Sequence, residues 1–363
     1  RAGVLRFRLG LFRQRFEGGQ QVEAPEDWLT MRDPWAFDRS ESAYEIGFKG
    51  HVETVNGRTV WYPAETVLAV AHDTPVVGWE GRWANTLRLW GAKPTALIDL
   101  ERFNRGDYTA AAAPELLART LSRVLYPDDT TFAGKELRLK QEYFLVSAAV
   151  QDILRRDLDA HGDLTTLPDR VAIQLNDTHP ALAAPELIRL LVDVHGLDFR
   201  KAIEITQAVL GYTIRTLLPE ALERWSSYLM GTTLPRHMQI IEQIEAWHLD
   251  EYHFRPHYIG IVKHNEVRMG ELSFIMSHKV NGVSALHSEL VKKNLFPELD
   301  ALHPGRIINE TNGVTPRRWL RMANPALSHL ITDTIGAGWE AGLDRLRELA
   351  KPIEDKGFRD AFA

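Results

Sequence analysis

The sequence has no cysteine, no long hydrophobic run and no excess of basic residues. The absence of cysteine excludes disulfide bonds, a thiolate nucleophile and zinc–thiolate sites, and it makes the cytoplasm the expected compartment. The longest apolar stretches, such as Val67 to Ala71, fall far short of the roughly 20 residues of a membrane-spanning helix. The net charge of −6 argues against nucleic acid or an anionic membrane as a partner.

The rest of the composition is typical of an ordinary folded protein. The chain has 363 residues, of which 44% are hydrophobic and 25% are charged. Such a chain suits about two or three domains, or one large α/β lobe. The first fifteen residues carry five arginines and no acid, as a transit peptide does, but apolar residues alternate from Leu5 to Leu11 as in a half-buried strand. We expect a strand there. Because the chain begins with Arg1 and ends without a helix stop, we interpret it as a segment of a longer protein.

Residues 1–93 are predicted to be rich in β-structure. The pair Asn56-Gly57 separates HVETV from RTVWYP, which is the strongest short-range signal of a β-hairpin. TVLAVAHD and PVVGW continue as strands. Beyond Asp99, Pro114 opens a helix that Pro127 ends, and apolar residues spaced by three and four predict a long helix over residues 134–159.

A strand–loop–helix unit in the middle of the chain is the first candidate site. The apolar run Val171 to Leu175 is followed by NDTHP and then by the helical APELIRLLVDV. Ligands of open α/β sheets bind beyond the carboxyl ends of such strands. Asp177 and His179 lie in this loop, so both side chains can reach one cleft and the aspartate can orient the imidazole. The alternative is an Asx-turn that caps the next helix.

Other patterns carry weaker signals. Asp128 and Asp129 are adjacent carboxylates, for which a solvated turn is favoured over an acid–base pair. His248, His253 and His257 lie among acidic residues, but a proline interrupts the helix and no metal site is predicted. Most of the tryptophans are predicted to be core or strand-face residues rather than sugar-stacking ones. No GxGxxG, GxxxxGK[ST] or GxSxG pattern is present, so the residues themselves lead to an α/β protein with a polar cleft.

Several long segments resemble the α-glucan phosphorylases, the family of the glycogen, starch and maltodextrin enzymes. In chain order they are LYPDDTTFAGKELRLKQEYF, VAIQLNDTHPALAAPEL, LLPEALERW, LPRHMQIIEQI, SHKVNGVSALHSEL and NETNGVTPRRWL. The likeness runs from about Phe12 to beyond Asn324. Motifs of this length in one order are very specific to the family.

The resemblance implies the fold class. It is α/β: a GT-B-like lobe of the type seen in nucleotide-sugar transferases, with a mainly parallel sheet flanked by helices and a β-rich N-terminal part. Residues 1–320 are expected to form the N-terminal lobe, incomplete at its start. Residues 321–363 are expected to form a helical connection toward a C-terminal cofactor lobe that is absent from this chain.

The resemblance also assigns residues to the substrate. By motif, Asp177 and His179 line the glucosyl pocket, and Arg138 lies beside them, where it could pair with Asp177. Asn312 matches an asparagine that bonds the 6-hydroxyl of the sugar. Arg215 stands where the family usually has a histidine that touches the sugar, and we count it among the substrate-binding residues.

A gate loop and a reaction follow from the same resemblance. Asp128, Asp129 and Thr130 match a mobile loop whose acidic residue keeps phosphate out until the loop moves. The family carries out reversible phosphorolysis, in which phosphate attacks the terminal α-1,4 bond of the glucan and glucose 1-phosphate leaves with retained configuration. The cofactor is pyridoxal phosphate on a lysine of the C-terminal lobe, so no catalytic residue is expected here and the isolated segment should be inactive. The full-length form is expected to be a homodimer.

Departures from the family pattern keep other functions open. Besides Arg215, Met276 replaces the glycine of the family's GSH, and Glu310 replaces the lysine of NKTNG. Arg215 and the absence of the C-terminal lobe favour, as the first alternative, a non-catalytic carbohydrate-binding or regulatory relative. A nucleotide-sugar glucosyltransferase would leave NDTHPAL and TNGVTPRRWL unexplained. A metal-dependent hydrolase is the third alternative.

Overall fold

A computed structural model describes residues 12–25, 33–96, 98–124, 127–252 and 259–363 of the chain. The strand expected from Leu5 to Leu11 lies outside these residues. The chain divides into two units, Arg1–Asn309 and Glu310–Ala363. The functional boundary expected after residue 320 stays a prediction.

Seven strands in the described part of the first unit make its β-rich region. They are β1 (Phe12–Glu17), β2 (Gln20–Pro25), β3 (Phe37–Phe48), β4 (His51–Val55), β5 (Arg58–Tyr62), β6 (Glu65–Val77) and β7 (Ala84–Pro94). Strands β3, β6 and β7 form an antiparallel sheet in the order β3-β6-β7. TVLAVAHD and PVVGW, which the sequence separates, lie mostly in the single long strand β6.

The hairpin predicted at Asn56-Gly57 is confirmed. Strand β4 pairs with β5 so that Val55 faces Arg58 across the turn. Asn56 and Gly57 have φ values of +52° and +77°. A two-residue hairpin turn needs positive φ at both central positions, and asparagine and glycine are the residues that adopt it at least cost.

Four helices follow the β-rich region: α1 (Leu100–Asn104), α2 (Tyr108–Ala111), α3 (Ala113–Leu121) and α4 (Phe132–His161). The long helix predicted over residues 134–159 is confirmed as α4. The helix predicted from Pro114 ends at Leu121. Beyond that point the side chain of Gln141 in α4 donates to the carbonyl oxygens of Leu121 and Val124, which are thus satisfied without a continued helix.

The parallel sheet expected from the sequence is present. Its strands are β8 (Ile173–Asn176), β9 (Leu210–Thr213), β13 (Lys279–Gly282) and β14 (Ile307–Asn309), in the order β14-β13-β9-β8. Between β9 and β13 the chain forms a small antiparallel sheet of β10 (Arg224–Ser226), β11 (Val262–Lys263) and β12 (Glu266–Arg268). The carboxyl ends of the four parallel strands meet at one edge.

Seven further helices occur in the described part of the first unit. They are α5 (Ala183–Arg189), α6 (Phe199–Val209), α7 (Ser227–Thr233), α8 (Pro235–Glu251), α9 (Met269–Ile275), α10 (Ala285–Leu290) and α11 (Pro297–Leu302). Helices α5 and α10 each continue into a π-helical turn, at Leu190–Val194 and Val291–Leu295. Helix α5 packs against α4, α6 and α8. The apolar core includes the fully buried Tyr143 of α4 and Tyr212 of β9.

A buried carboxylate joins three of these helices. Glu186 of α5 accepts hydrogen bonds from Arg189 at 2.7 and 2.9 Å, and from Ser147 of α4 at 2.6 Å. Ser147 contacts Oε1 of Glu186, and Oε2 lies 2.7 Å from Nε2 of His237 in α8. Burial by itself would raise the pKa of Glu186, but Arg189 and His237 outweigh it and hold that pKa well below the ordinary value. The charged network fixes α5, and therefore the loop that precedes it.

The second unit is helical. It contains α12 (Pro325–Ile335) and α13 (Lys356–Phe362), a π-helical segment at Arg317–Met322 and 3-10 turns at Leu343–Ala350 and Pro352–Glu354. Ile331 and Trp339 are its buried apolar side chains. In both units, none of the helices that the structure describes is long and apolar enough to cross a membrane.

Candidate active site

The loop after β8 lies at the carboxyl edge of the parallel sheet, where the sequence predicts the site. Its first residues stay tied to the neighbouring strand, because the Asp177 N–H donates to the Thr213 carbonyl oxygen at 3.1 Å. Asp177 itself has a φ of +66°, in the left-handed region that aspartate tolerates better than most residues. This turn leaves Thr178 buried and the Asp177 and His179 side chains half-buried.

Glu223 contacts two polar side chains of this loop, Thr178 and His179. The Thr178 hydroxyl donates to Oε2 of Glu223 at 3.2 Å. Nε2 of His179 lies 3.6 Å from Oε1, and Arg138 of α4 donates to the same oxygen. The Glu223 side chain is 11% exposed, whereas the His179 side chain is 40% exposed. The imidazole can therefore meet a ligand while its inner edge faces a fixed negative charge.

Arg138 contacts three carboxyl groups. Besides Glu223, it donates to Asp129 at 2.8 Å and to Glu142 at 3.1 Å. Burial would lower the pKa of Arg138, but the bond to Asp129 and the charges of Glu142 and Glu223 outweigh it and raise that pKa. The sequence suggested Asp177 as its partner. In the structure the link from Arg138 to the loop runs instead through Glu223 to His179.

Asp177 lies close to the same cluster through β9. Burial, followed by the negative charges of Asp177, Glu271 and Glu223, raises the pKa of the Tyr212 hydroxyl. Tyr212 is fully buried beneath this edge of the sheet. The geometric link of Asp177 to β9 is its N–H bond to the carbonyl oxygen of Thr213, the last residue of that strand.

The predicted gate residues form the turn that leads into α4. The Thr130 N–H donates to the Asp128 carboxylate at 2.9 Å, which holds the pKa of Asp128 below its ordinary value. Thr131 caps the helix by accepting from the Gly134 N–H at 3.1 Å. Because Asp129 pairs with Arg138, the turn is attached to the Glu223 cluster.

Arg215 occupies the position just beyond β9. Its Nε donates to the Asn176 side-chain oxygen at 2.8 Å, across the ends of the neighbouring strands β8 and β9. Arg215 and Asn176 are exposed. The guanidinium is therefore oriented by a neutral amide at the edge of the sheet where the loop of His179 begins.

Asn312 belongs to the second unit and is exposed. Its assignment to the sugar stays a prediction. The sequence reasoning did not single out Glu223, Glu142 or Thr178. Two signals were present: Glu223 lies in the segment LLPEALERW, and Arg138 and Glu142 are four residues apart on one helix face, a spacing that brings opposite charges together.

The weaker sequence candidates lie elsewhere. Of the three histidines considered for a metal, His253 and His257 lie outside the described residues. Nε2 of His248 lies 3.2 Å from Nε2 of His303. Among the residues with described positions, no cluster of three or more histidine and acidic side chains could hold a metal ion.

The tryptophans that the sequence assigns to the core or to strand faces include both buried and exposed residues. Trp90 is fully buried in the antiparallel sheet and Trp61 is half-buried. Trp35 and Trp83 are largely exposed. Trp28 lies outside the described residues.

Pyridoxal phosphate forms an imine with a lysine amine. Lys140 is the only buried lysine among the described residues. Its amino group lies 2.8 Å from Glu136 and also pairs with Glu65. Because these two ion pairs occupy the amino group, Lys140 does not fit as an attachment point for the cofactor.

Comparison with known proteins places the chain in a family. A family model described as carbohydrate phosphorylase matches residues 2–363. Glycogen phosphorylase of Haemophilus influenzae is 43% identical over an alignment 369 residues long, which covers 99% of this chain and 45% of that protein. The muscle form of human glycogen phosphorylase is 43% identical over an alignment 372 residues long, which covers 98% of this chain and 44% of that protein. The chain thus spans less than half the length of these curated relatives.

Proposed function

Because the chain belongs to the carbohydrate phosphorylase family, we propose that it is the glucosyl-binding part of an α-glucan phosphorylase. The proposed reaction is reversible phosphorolysis of the terminal α-1,4-linked glucosyl residue of glycogen or maltodextrin, with inorganic phosphate as co-substrate and glucose 1-phosphate as product. The observation that carries the proposal is the arrangement of Thr178, His179 and Arg138 around Glu223. This cluster lies at the edge of the parallel sheet where α/β proteins bind ligands.

Asp177 and His179 are the proposed contacts of the glucosyl residue in the first unit. Asp177 and His179 keep part of their side chains accessible, although the residue between them is buried. A glucosyl transition state with oxocarbenium character is stabilised by polar groups that are already oriented in a site that excludes water. Arg138 contributes indirectly, because it holds the carboxylate that faces His179.

Asp128, Asp129 and Thr130 are the proposed gate. In the structure Asp129 is held by Arg138 at 2.8 Å. A carboxylate at the entrance would repel a phosphate dianion until the turn moves. The Asp129 side chain is half exposed, and a pair of this kind contributes about 1 kcal/mol or less. Substrate binding can therefore break it.

Pyridoxal phosphate is the proposed cofactor, held by a part of the protein beyond these residues, and the proposed full-length form is a cytoplasmic homodimer. When bound, the cofactor would supply acid–base chemistry through its own phosphate group. The residues described above bind and orient the sugar on the other side of the reaction.

A chimera tests the proposal. The chain replaces the matched 45% of the Haemophilus influenzae relative, and release of glucose 1-phosphate from glycogen and phosphate is measured. We expect release by the chimera and none by the chain alone, because proximity of glucan, phosphate and cofactor supplies most of the rate. His179→Gln should lower the rate by about tenfold or more, and His51→Gln, on the exposed strand β4, should leave it unchanged. A folded chimera that binds glycogen without releasing glucose 1-phosphate would instead support the non-catalytic alternative.

A further inference from the structure

Two buried carboxyl groups share one guanidinium in the Glu223 cluster. Nη2 of Arg138 lies 3.1 Å from Oε1 of Glu142 and also donates to Oε1 of Glu223. The two carboxyl side chains are only 9% and 11% exposed. Arg138 carries a single positive charge and is further shared with Asp129. One cation cannot balance all of these carboxylates in a poorly solvated space.

The two glutamates differ in the hydrogen-bond partners of their oxygens. Oε2 of Glu142 is buried and has no hydrogen-bond partner among the described residues. Both oxygens of Glu223, in contrast, have partners: Thr178 on one side, and Arg138 and His179 on the other. A buried carboxylate oxygen without a partner is far more costly than the oxygen of a neutral acid. Burial, followed by the negative charge of Glu223, raises the pKa of Glu142 well above its ordinary value.

We propose that Glu142 is a protonated, neutral positioning residue, which leaves Glu223 as the ionised group that orients His179 at the sugar site. Neither glutamate is assigned a contact with substrate, because both act through Arg138 and His179. The proton assignment concerns the free chain and stands independently of the proposed function. Its effect on sugar turnover rests on that function.

The free chain allows a direct test of the proton. In the infrared spectrum of the unmodified chain at about neutral pH, we expect absorption by protonated carboxyl groups. Burial also raises the pKa of Glu245 and of Glu271, so the contribution of Glu142 is the part of this absorption that is lost in Glu142→Gln. Because the first measurement is made on the unmodified protein, it does not depend on whether a variant folds. A spectrum without any protonated carboxyl absorption, or absorption of equal strength in Glu142→Gln, overturns the assignment.

A pair of matched variants tests the positioning role. Glutamine has the shape of a neutral glutamic acid, so Glu142→Gln should leave the nuclear magnetic resonance signals of the His179 ring unchanged. Glu223→Gln removes the negative charge and should shift them. In the chimera we expect kcat/KM to fall by about tenfold or more for Glu223→Gln. Equal effects of both variants on the His179 signals would overturn the proposal, even if the chimera proved inactive.

Discussion

Arg215 is the residue at which the sequence departs most clearly from the resemblance. A side chain longer than histidine can crowd the sugar, turn away toward a carboxylate, or contact the sugar through its own donors. In the structure its Nε donates to the neutral Asn176 amide at 2.8 Å. The guanidinium can donate hydrogen bonds but cannot accept them, and it is always charged. A neutral sugar hydroxyl at this edge would therefore meet a permanently charged donor.

We predict that Arg215→His raises the activity of the chimera. Histidine is shorter and, when neutral, can accept as well as donate a hydrogen bond. The gain of one well-placed bond to a sugar hydroxyl is worth about 0.5–1.5 kcal/mol, which corresponds to a rise of roughly two- to tenfold in kcat/KM. The measurement is the initial rate of glucose 1-phosphate release by the two proteins side by side.

Arg224→His provides the control for this change. Arg224 is also a half-exposed arginine at a strand, and it pairs loosely with Glu266 at 3.9 Å. Its replacement should leave the rate unchanged. If Arg215→His lowers the rate, Arg215 contacts the substrate through its own donors, and it is a functional variant rather than a damaging one.

At the scale of elements, the sequence predicted those strands, turns and helices that are determined by residues close together in the chain. The Asn56-Gly57 hairpin, the long helix α4 and the unit of β8, loop and α5 all follow from turn residues and periodicity over short windows. The early end of α3 did not follow. It depends on Gln141, which reaches Leu121 from a different helix. Periodicity over one segment carries no information about such a contact.

The centre of the site shows the same limit. Glu223 is 85 residues from Arg138 and 45 residues from Thr178 in the sequence. Only the packing of α4 and β8 against the segment before β10 brings these three together. The loop of Asp177 and His179 was predictable because strand ends mark ligand sites. The shared carboxylate was not, because a lone glutamate in a polar segment has no local signature.

The turn before α4 depends on a glycine. A Cβ on Gly134 would lie 1.9 Å from the Asp128 carbonyl oxygen, a backbone atom that cannot rotate away. We predict that Gly134→Ala displaces the 128–130 turn from α4 and lowers the free energy of unfolding by about 1–3 kcal/mol, the usual cost of forcing extra atoms into a packed site. Urea unfolding followed by circular dichroism gives this value.

Gly231→Ala is the matched control for the turn. Gly231 lies in helix α7, and its added Cβ would meet Met238 at an ordinary 3.9 Å. Alanine is favoured over glycine in helices by roughly 1 kcal/mol, so this variant should be as stable as the parent or more stable. A Gly134→Ala protein as stable as Gly231→Ala would show that the turn is free to move away from the helix without cost.

At the scale of the whole molecule, several histidines are held neutral inside the fold. Burial, followed by the positive charge of Arg306, lowers the pKa of His248 to about 4. Burial, Arg306 and the adjacent His248 lower the pKa of His303 to about 3. Burial also lowers the pKa of His237. The unfolded chain has no such protection, and its histidines bind protons near pH 6.5.

This difference sets the pH dependence of unfolding. As the pH falls below about 6.5, the unfolded chain binds protons that the folded chain does not, so we predict that the free energy of unfolding falls with pH. Each such proton contributes at most about 1.4 kcal/mol per pH unit. Carboxylates whose pKa is lowered in the fold, such as Glu186, destabilise it only at more acidic pH. A Glu142 that keeps its proton in the fold has the opposite effect between about pH 6.5 and 5, but it offsets only one of the protons taken up by the buried histidines.

The His248–His303 pair can be separated from the other histidines by one substitution. In His303→Gln the fall in unfolding free energy between about pH 6.5 and 5 should be shallower, because one of the protons that distinguish the two states is removed. Urea unfolding at a series of pH values measures the slope, which is independent of any uniform loss of stability in the variant. His51→Gln, at an exposed position of β4, should keep the parent slope. Equal slopes in the parent and in His303→Gln would mean that His303 takes up its proton equally in both states. The prediction that His248 and His303 are both neutral in the folded chain would then be wrong.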